Sequence, residues 1–384
     1  MLTAIIFILV LGVLVLAHEF GHFIAARKCG MKVEEFGFGF PPRAFGVRFL
    51  DGGKREWVWG NKDASGEKTV YSINWLPIGG FVKIKGENGD AENDSDSFMA
   101  KPAWKKTIVL AAGVVMNIVL AAVLLSVGYM VGLPQTTDDV SDATVVKDAR
   151  IAILEVASGR PAALAGLKMG DEIIQIDEIK NPRIVDMQAY VDQKRGQEIT
   201  FIIARGAENF EKKITPAVSA ETGKGGIGVA IAEVGLIKYP WYLAIYHGVI
   251  ATGAYLLAIV LAFWHLFVGL FAGKGAGEAV AGPVGIAVMT GQVARMGLAY
   301  LLQFTAMLSL NLAVINILPI PALDGGRIVF TWLGKIFKKP VFMKFEQSAH
   351  AIGFALLMLL VVVVTVKDLG AFKGVFMNLF NKIF

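Results

Sequence analysis

Cysteine is almost missing from this chain. Among 384 residues only Cys29 carries a thiol, which excludes an internal disulfide and any metal site built from several cysteine sulfurs. Charge is scarce too. Asp, Glu, Lys and Arg make up 18% of residues against 55% hydrophobic, where a soluble globular chain carries roughly 25% and 45–50%. That excludes an ordinary soluble domain and leaves a polytopic membrane protein with some soluble mass. No Lys or Arg precedes the first apolar run, residues 2–26, whereas Arg27, Lys28 and Lys32 follow it. A cleaved signal peptide shows the opposite order. The positive-inside bias instead predicts an uncleaved helix with its C-terminal end in the cytoplasm, which keeps Cys29 reduced at the membrane surface. No low-complexity tract and no repeat of roughly 20–50 residues is present, so solenoids are excluded. The net charge of +5 comes from cations flanking apolar runs and calls for no nucleic acid.

What is there sets an expected topology. Residues 1–26 form a first span, and residues 27–106 a polar, Gly-rich segment on the cytoplasmic side. Within it 70–76 and 81–85 alternate as strands joined through Pro77-Ile78-Gly79-Gly80, and 86–96 reads as a solvated acidic loop. A second span covers 107–130. Residues 131–240 carry more acids than bases and are expected outside. They hold a domain at about 145–220, with strands at 151–156, 172–177 and 198–204 and helices at 161–167 and 184–194, enough to bury one small core. Residues 241–297 open with an apolar run at 241–272 containing His247 and His265, then Gly273–Glu278 and Gly282-Pro283-Val284-Gly285. A third core span occupies 298–334, a basic cytoplasmic loop 335–350 (Lys335, Lys338, Lys339, Lys344), and a last span and tail 351–384. If 241–272 crosses once and nothing returns before 298, the next span ends outside, against those lysines. Either 241–272 is interfacial or re-entrant, or 279–296 crosses back. Four spans with an interfacial segment is the expectation.

The chemistry-bearing motif lies in the first span. His18-Glu19-Phe20-Gly21-His22 sets two imidazoles at i and i+4, one face of a helix, so both can reach one metal ion. Glu19 is close enough to take a proton from a water held by that metal. Ionisable groups at this depth are expensive, roughly 2.5–3.5 kcal/mol for Asp, Lys or Arg at a helix centre, and a zinc ion compensates. Two histidines leave a catalytic zinc one protein ligand short. Asp324, in Asn316-Ile-Leu-Pro-Ile-Pro-Ala-Leu-Asp324-Gly-Gly-Arg327, ends an apolar span on the expected cytoplasmic side, with Pro319 and Pro321 interrupting the helix. Irregular backbone is tolerated at membrane depth where it lines a cavity. An ordinary turn is the other account of Pro, Asp and Gly-Gly. Paired with the intramembrane H-E-x-x-H, Asp324 reads as the third ligand.

With these residues in place the chain resembles the site-2 protease family of intramembrane zinc metalloproteases, and most of all its bacterial branch that includes the regulator of sigma-E protease. His18–His22 and Leu323-Asp324-Gly325 match the zinc motifs. Phe36-Gly-Phe-Gly39 and Leu76–Ile84 look like membrane-associated β elements, and Ser309–Asn316 like the third core helix. Ala112-Gly113-Val114-Val115-Met116-Asn117 lacks the proline usual in the second span. Residues 158–174 look like part of a bacterial, permuted PDZ domain. The fold implied is a polytopic α-helical membrane protein with about four transmembrane helices, cytoplasmic-side β elements and one extracytoplasmic α+β PDZ domain.

The resemblance implies a multi-pass protein of the bacterial inner membrane, active near the cytoplasmic side. Zn2+ would be held by His18, His22 and Asp324, with Glu19 as general base. Asn316, Asn117, Gly79 and Gly80 are candidates for binding substrate or the oxyanion; helix–helix hydrogen bonding is the alternative for the asparagines. Substrates would be single-span membrane proteins, anti-sigma factors or signal-peptide remnants, with peptide C-termini possible ligands of the PDZ groove. From other classes, a transporter or metal-permeation protein with a PDZ regulatory domain accounts for ionisable residues in spans, as does a PDZ scaffold on an inert anchor.

Overall fold

The computed structural model describes residues 2–60, 68–87, 89, 91, 93–136, 145–157, 159–205, 208–218, 223, 225–272, 282–337 and 339–371. The run Gly273–Glu278, Lys338 and the tail beyond Ala371 lie outside them. The chain divides into two compact units, one of Met1–Leu124, Val249–Gly291 and Phe304–Phe384, the other of Leu125–Gly248 and Gln292–Gln303.

The long helices, most of whose residues belong to the first unit, begin with α1 (Leu2–Lys28) and α2 (Ala103–Val131). Later come α5 (Trp241–Phe271), α6 (Pro283–Met296), α7 (Leu298–Ile317), α8 (Asp324–Ile336) and α9 (Lys339–Ala371). Among the described residues five helices are long and apolar enough to cross a membrane: Leu2–Lys28, Ala103–Val131, Trp241–Gly269, Leu298–Ile317 and Phe345–Gly370. On α9, Ile352, Leu356, Leu359, Val362 and Val366 are each more than half exposed. A helix apolar all round with so little buried is stable in lipid, not in water. The chain is an integral membrane protein.

Two expectations change here. The run at 241–272 is one unbroken helix without a single Asp, Glu, Lys or Arg. Interfacial helices need a polar face to lie in the headgroups, and α5 offers none. By length and composition α5 is therefore a candidate span beside the four expected. The basic stretch 335–350 is also largely helical, because α9 starts at Lys339. Lysine is a good helix former, and Pro340 sits in the first turn, where proline is tolerated.

Between α1 and α2 lies a three-stranded antiparallel sheet in the order β2-β1-β3, with β1 (Val33–Phe49), β2 (Arg55–Trp59) and β3 (Val70–Ile84). The connection expected at Pro77–Gly80 does not interrupt the strand. The two strands expected on either side of it are the two halves of β3, because β1 supplies partners to both: Arg48 pairs with Val70 at one end and Val33 with Ile84 at the other, with register shifts between. Bulges of this kind bend a ladder without ending it. The acidic loop after β3 is anchored: Lys85 Nζ reaches Asp94 at 2.7 Å and Asp96 at 2.8 Å. The hydrogen bond from Lys85 holds the Asp96 carboxyl below its ordinary pKa.

The second unit is built on a sheet in the order β4-β12-β5-β6-β8-β9, formed by β4 (Leu133–Thr136), β5 (Val145–Val156), β6 (Glu172–Ile176), β8 (Ile199–Arg205), β9 (Glu208–Ile214) and β12 (Val229–Lys238). The short β7 (Ile179–Lys180) pairs with β6, β10 (Ala217–Val218) and β11 (Gly225–Gly226) form a separate pair, and the unit carries helices α3 (Pro161–Leu164) and α4 (Ile184–Gln193). The strands and helices expected between 151 and 204 all occur, with ends shifted by a few residues. Alternate strand positions Ile151, Ile153, Ile199, Phe201 and Ile203 form its core, as period-2 side-chain placement requires. Asp171 closes the turn before β6. Its carboxylate accepts from Arg205 Nε at 2.6 Å and from the Lys168 backbone N–H at 2.9 Å.

Candidate metal centre

α1 is apolar until its last three turns, which carry His18, Glu19 and His22. The i, i+4 spacing puts the imidazoles on one face, with ring centroids 4.7 Å apart and their Nε2 atoms 3.1 Å apart. His22 Nδ1 donates to the Val109 carbonyl of α2 at 2.8 Å. A neutral His22 therefore presents Nε2 as a lone pair. Two helices pass this closely because of glycine. A Cβ on Gly113 of α2 would stand 2.6 Å from His18 Cε1 and would also collide with His22 Nε2; one on Gly21 would strike the Ala112 backbone.

Asp324 arrives from the far end of the chain. α7 stops at Ile317, and Pro319 and Pro321 prevent its ladder from continuing. The chain reverses with Ala322 at φ 77° and restarts as α8 at Asp324. Gly325 and Gly326 lie so close to the carbonyls of Ile317, Leu318 and Ile320 that no side chain fits at either. This turn places Asp324 Oδ2 3.1 Å from His18 Nε2 and 3.5 Å from His22 Nε2. The three side chains are 8–16% exposed. Among the described residues this is a group of three ligating side chains that can hold one metal ion. Asp324 Oδ2 is buried without a hydrogen-bond partner beside the two imidazole nitrogens.

Glu19 stands apart from that triangle. Its Oε2 accepts from the Val82 backbone N–H of β3 at 3.1 Å. β3 passes α1 at Gly79 (φ 85°) and Gly80: a Cβ on Gly79 would be 3.4 Å from Val15 Cγ1 of α1, and one on Gly80 would be 3.0 Å from the Gly37 carbonyl of β1 and 3.8 Å, an ordinary contact, from Glu19 Cγ. Asn117 is buried behind His18, its Nδ2 3.3 Å from His18 Nδ1, while its Oδ1 has no hydrogen-bond partner. Its backbone carbonyl accepts from Ser309 of α7 at 2.7 Å. Asn316 is half-buried in the last turn of α7. Asn311 donates to Met307 O in its own helix. His247 stacks on Tyr239 at 4.1 Å, within the second unit.

Sequence reasoning did not reach the Val109 carbonyl, Gly113, the Val82 amide or the ion pair of Arg327 with Glu87 that joins α8 to the loop after β3. Gly113 had a usable signal, since a glycine within a span marks close helix approach. Backbone groups have none.

Two imidazoles and a carboxylate around one point, with a second carboxylate beside them, are a donor set that can hold one divalent metal ion. The chain belongs to Peptidase family M50, whose family model matches residues 6–360. It is similar to the putative zinc metalloprotease CPE1693 of Clostridium perfringens, 34% identical over 94% of this chain and 97% of that one. It is also similar to the regulator of sigma-W protease RasP of Bacillus subtilis, 29% identical over 96% of this chain and 98% of that protein. Among solved structures, 23% of the chain is similar to the PDZ domain of the SdrC-like protein Lmo2051 from Listeria monocytogenes, at 24% identity, 93% coverage of that chain and a TM-score of 0.21.

Proposed function

We propose that this chain is an intramembrane zinc metalloprotease that cuts other membrane proteins in or near their membrane segments, with His18, His22 and Asp324 holding the metal and Glu19 as general base. The convergence of Nε2, Nε2 and Oδ2 within 3.1–3.5 Å of one another carries this reading. Zinc bonds of ~2.0–2.2 Å at tetrahedral angles put ligand atoms ~3.3–3.6 Å apart, so the triangle has the right size. Its donors also fit, two neutral nitrogens and one anion with an open side.

A zinc ion held by these three residues would supply Lewis acidity toward a peptide carbonyl and acidify a water. The protein does the rest. The hydrogen bond from Val82 aims the Glu19 carboxylate, which takes the water's proton and returns it to the leaving amine. Turning the Asn117 amide end for end sets Oδ1 against His18 Nδ1–H, satisfies that oxygen and fixes His18 as an Nε2 donor. Asn117 thus supports a ligand, and Asn316 remains the candidate for the oxyanion. A helical substrate must unwind first, since its carbonyls are already bonded. β3 pairs with β1 along one side, and Gly79 and Gly80 hold it at Glu19, so its other edge suits an extended substrate strand.

For sidedness, the His18 end of α1 faces the cytoplasm of a bacterial cell membrane, and the second unit, a PDZ-type domain for peptide C-termini or a size filter, lies outside. With α5 crossing, the chain must return before α7, and α6, at 14 residues or ~21 Å against a ~30 Å hydrocarbon core, covers only part of that distance. The substrates are single-span membrane proteins of the anti-sigma-factor or signal-peptide-remnant class. The transporter reading has no support in a peptidase family.

The test is co-expression with tagged single-span proteins. Wild type is expected to give a membrane-dependent fragment that chelator abolishes, and to purify with about one zinc per chain. A fragment insensitive to metal removal would falsify the proposal. A second expected result concerns Gly113→Ala. Overpacking costs ~1–3 kcal/mol, about 5- to 150-fold in zinc affinity here, measured by chelator competition. Gly128→Ala, in the same helix but against Leu133, should leave zinc affinity unchanged.

A further inference from the structure

The turn that delivers Asp324 contains a residue in an unfavourable conformation. Ala322 sits at φ 77°, left-handed backbone that a residue with a Cβ adopts only where its surroundings impose it. It lies outside both helices, so no i−4 carbonyl of a continuing ladder is there for its N–H. That N–H instead donates to His350 Nδ1 of α9 at 2.8 Å. One turn further along α9, Gly353 backs the same segment: a Cβ there would be 2.7 Å from both Pro321 Cβ and the Pro321 carbonyl oxygen. The Phe330 ring of α8 stands 5.1 Å from the His350 ring. His350 Nε2 is buried without a hydrogen bond, with Glu346 4.0 Å away.

From this geometry we infer that His350 is a positioning residue for the metal centre, holding Ala322 left-handed and so aiming Asp324 at His18 and His22. Only an unprotonated Nδ1 can accept from Ala322, so His350 acts as the Nε2–H tautomer. Without an acceptor, Ala322 relaxes toward right-handed backbone. The chain direction two residues before Asp324 then changes, and the carboxylate leaves the triangle. His350 touches neither metal nor substrate.

The inference rests on Asp324 being a ligand, and full-length protein in lipid nanodiscs separates the two. His350→Leu removes the acceptor and keeps bulk. His350→Asn keeps an acceptor, since Oδ1 stands near the place of Nδ1. Ala322→Gly removes the penalty on positive φ. Zinc affinity is read by chelator competition, and the turn by amide hydrogen exchange of residues 318–324 in metal-free protein. His350→Leu is expected to weaken zinc ~10–100-fold, the usual effect of losing an outer-shell partner, and to speed exchange at Ala322. His350→Asn is expected to match wild type on both readouts, and Ala322→Gly to recover most of the affinity lost in His350→Leu. Should His350→Leu fail to accumulate, His350→Asn against His350→Gln makes the same comparison, because the longer amide overshoots Ala322. Equal zinc affinity in wild type and His350→Leu, or equal losses in Leu and Asn variants, overturns the role of His350. If zinc is lost in Asp324→Ala but kept in His350→Leu, only this inference fails; if it is kept in Asp324→Ala, the ligand assignment fails.

Discussion

Glu19→Gln is expected to remove proteolysis, ~10²–10⁴-fold, while zinc stays bound at wild-type affinity. The amide keeps the size of the carboxylate and can still accept from the Val82 N–H, now 3.1 Å from Oε2, so β3 stays seated on α1. What it cannot do is take a proton. The side chain lies outside the triangle of His18, His22 and Asp324, so metal affinity should not move. The measurement pairs fragment yield from a co-expressed single-span substrate with zinc content of the purified protein. Loss of cutting together with loss of zinc would mean Glu19 is structural or a ligand; continued cutting would mean that another base serves.

The three proposed ligands are legible from residue types because the i, i+4 rule needs no tertiary knowledge, and because Asp324, alone an ordinary turn residue, takes on meaning once paired with the intramembrane H-E-x-x-H. The supports could not. Val109 and Val82 act through backbone atoms, and for Gly113 only a close helix approach was legible, not the imidazoles on another helix that demand it. His350 acts on a segment whose φ no pattern reveals. The same limit explains β3. Pro77-Ile78-Gly79-Gly80 has turn composition, but its outcome depended on β1 offering partners on both sides of the bend. For residues 241–272, a charge argument about later lysines outweighed composition. The unbroken α5 adds length to the composition argument for a crossing. The legible part was local chemistry, and the illegible part was whatever a distant segment imposes.

Asp324→Ala is expected to cost the protein its zinc and all measurable proteolysis. Two neutral imidazoles leave the double positive charge uncompensated in a site with little water, where each unit charge pair at ~4 Å is worth about 4 kcal/mol even at an effective dielectric near 20. The loss should therefore exceed the ~10–100-fold typical of removing an outer-shell partner. Asp324→Asn separates charge from shape: the amide keeps an oxygen in place but supplies no anion, and it should fall with alanine. The fold should survive, because Leu323 caps α8 without any side-chain bond and an acid in the first turn adds only ~0.3–1 kcal/mol through the helix dipole. Zinc per chain after dialysis against a weak chelator, measured with thermal stability in the same nanodiscs, decides it. An Asp324→Ala protein that melts like wild type and keeps its zinc would place the third ligand elsewhere, and the 3.1 Å approach to His18 would be an ion pair holding α8 to α1.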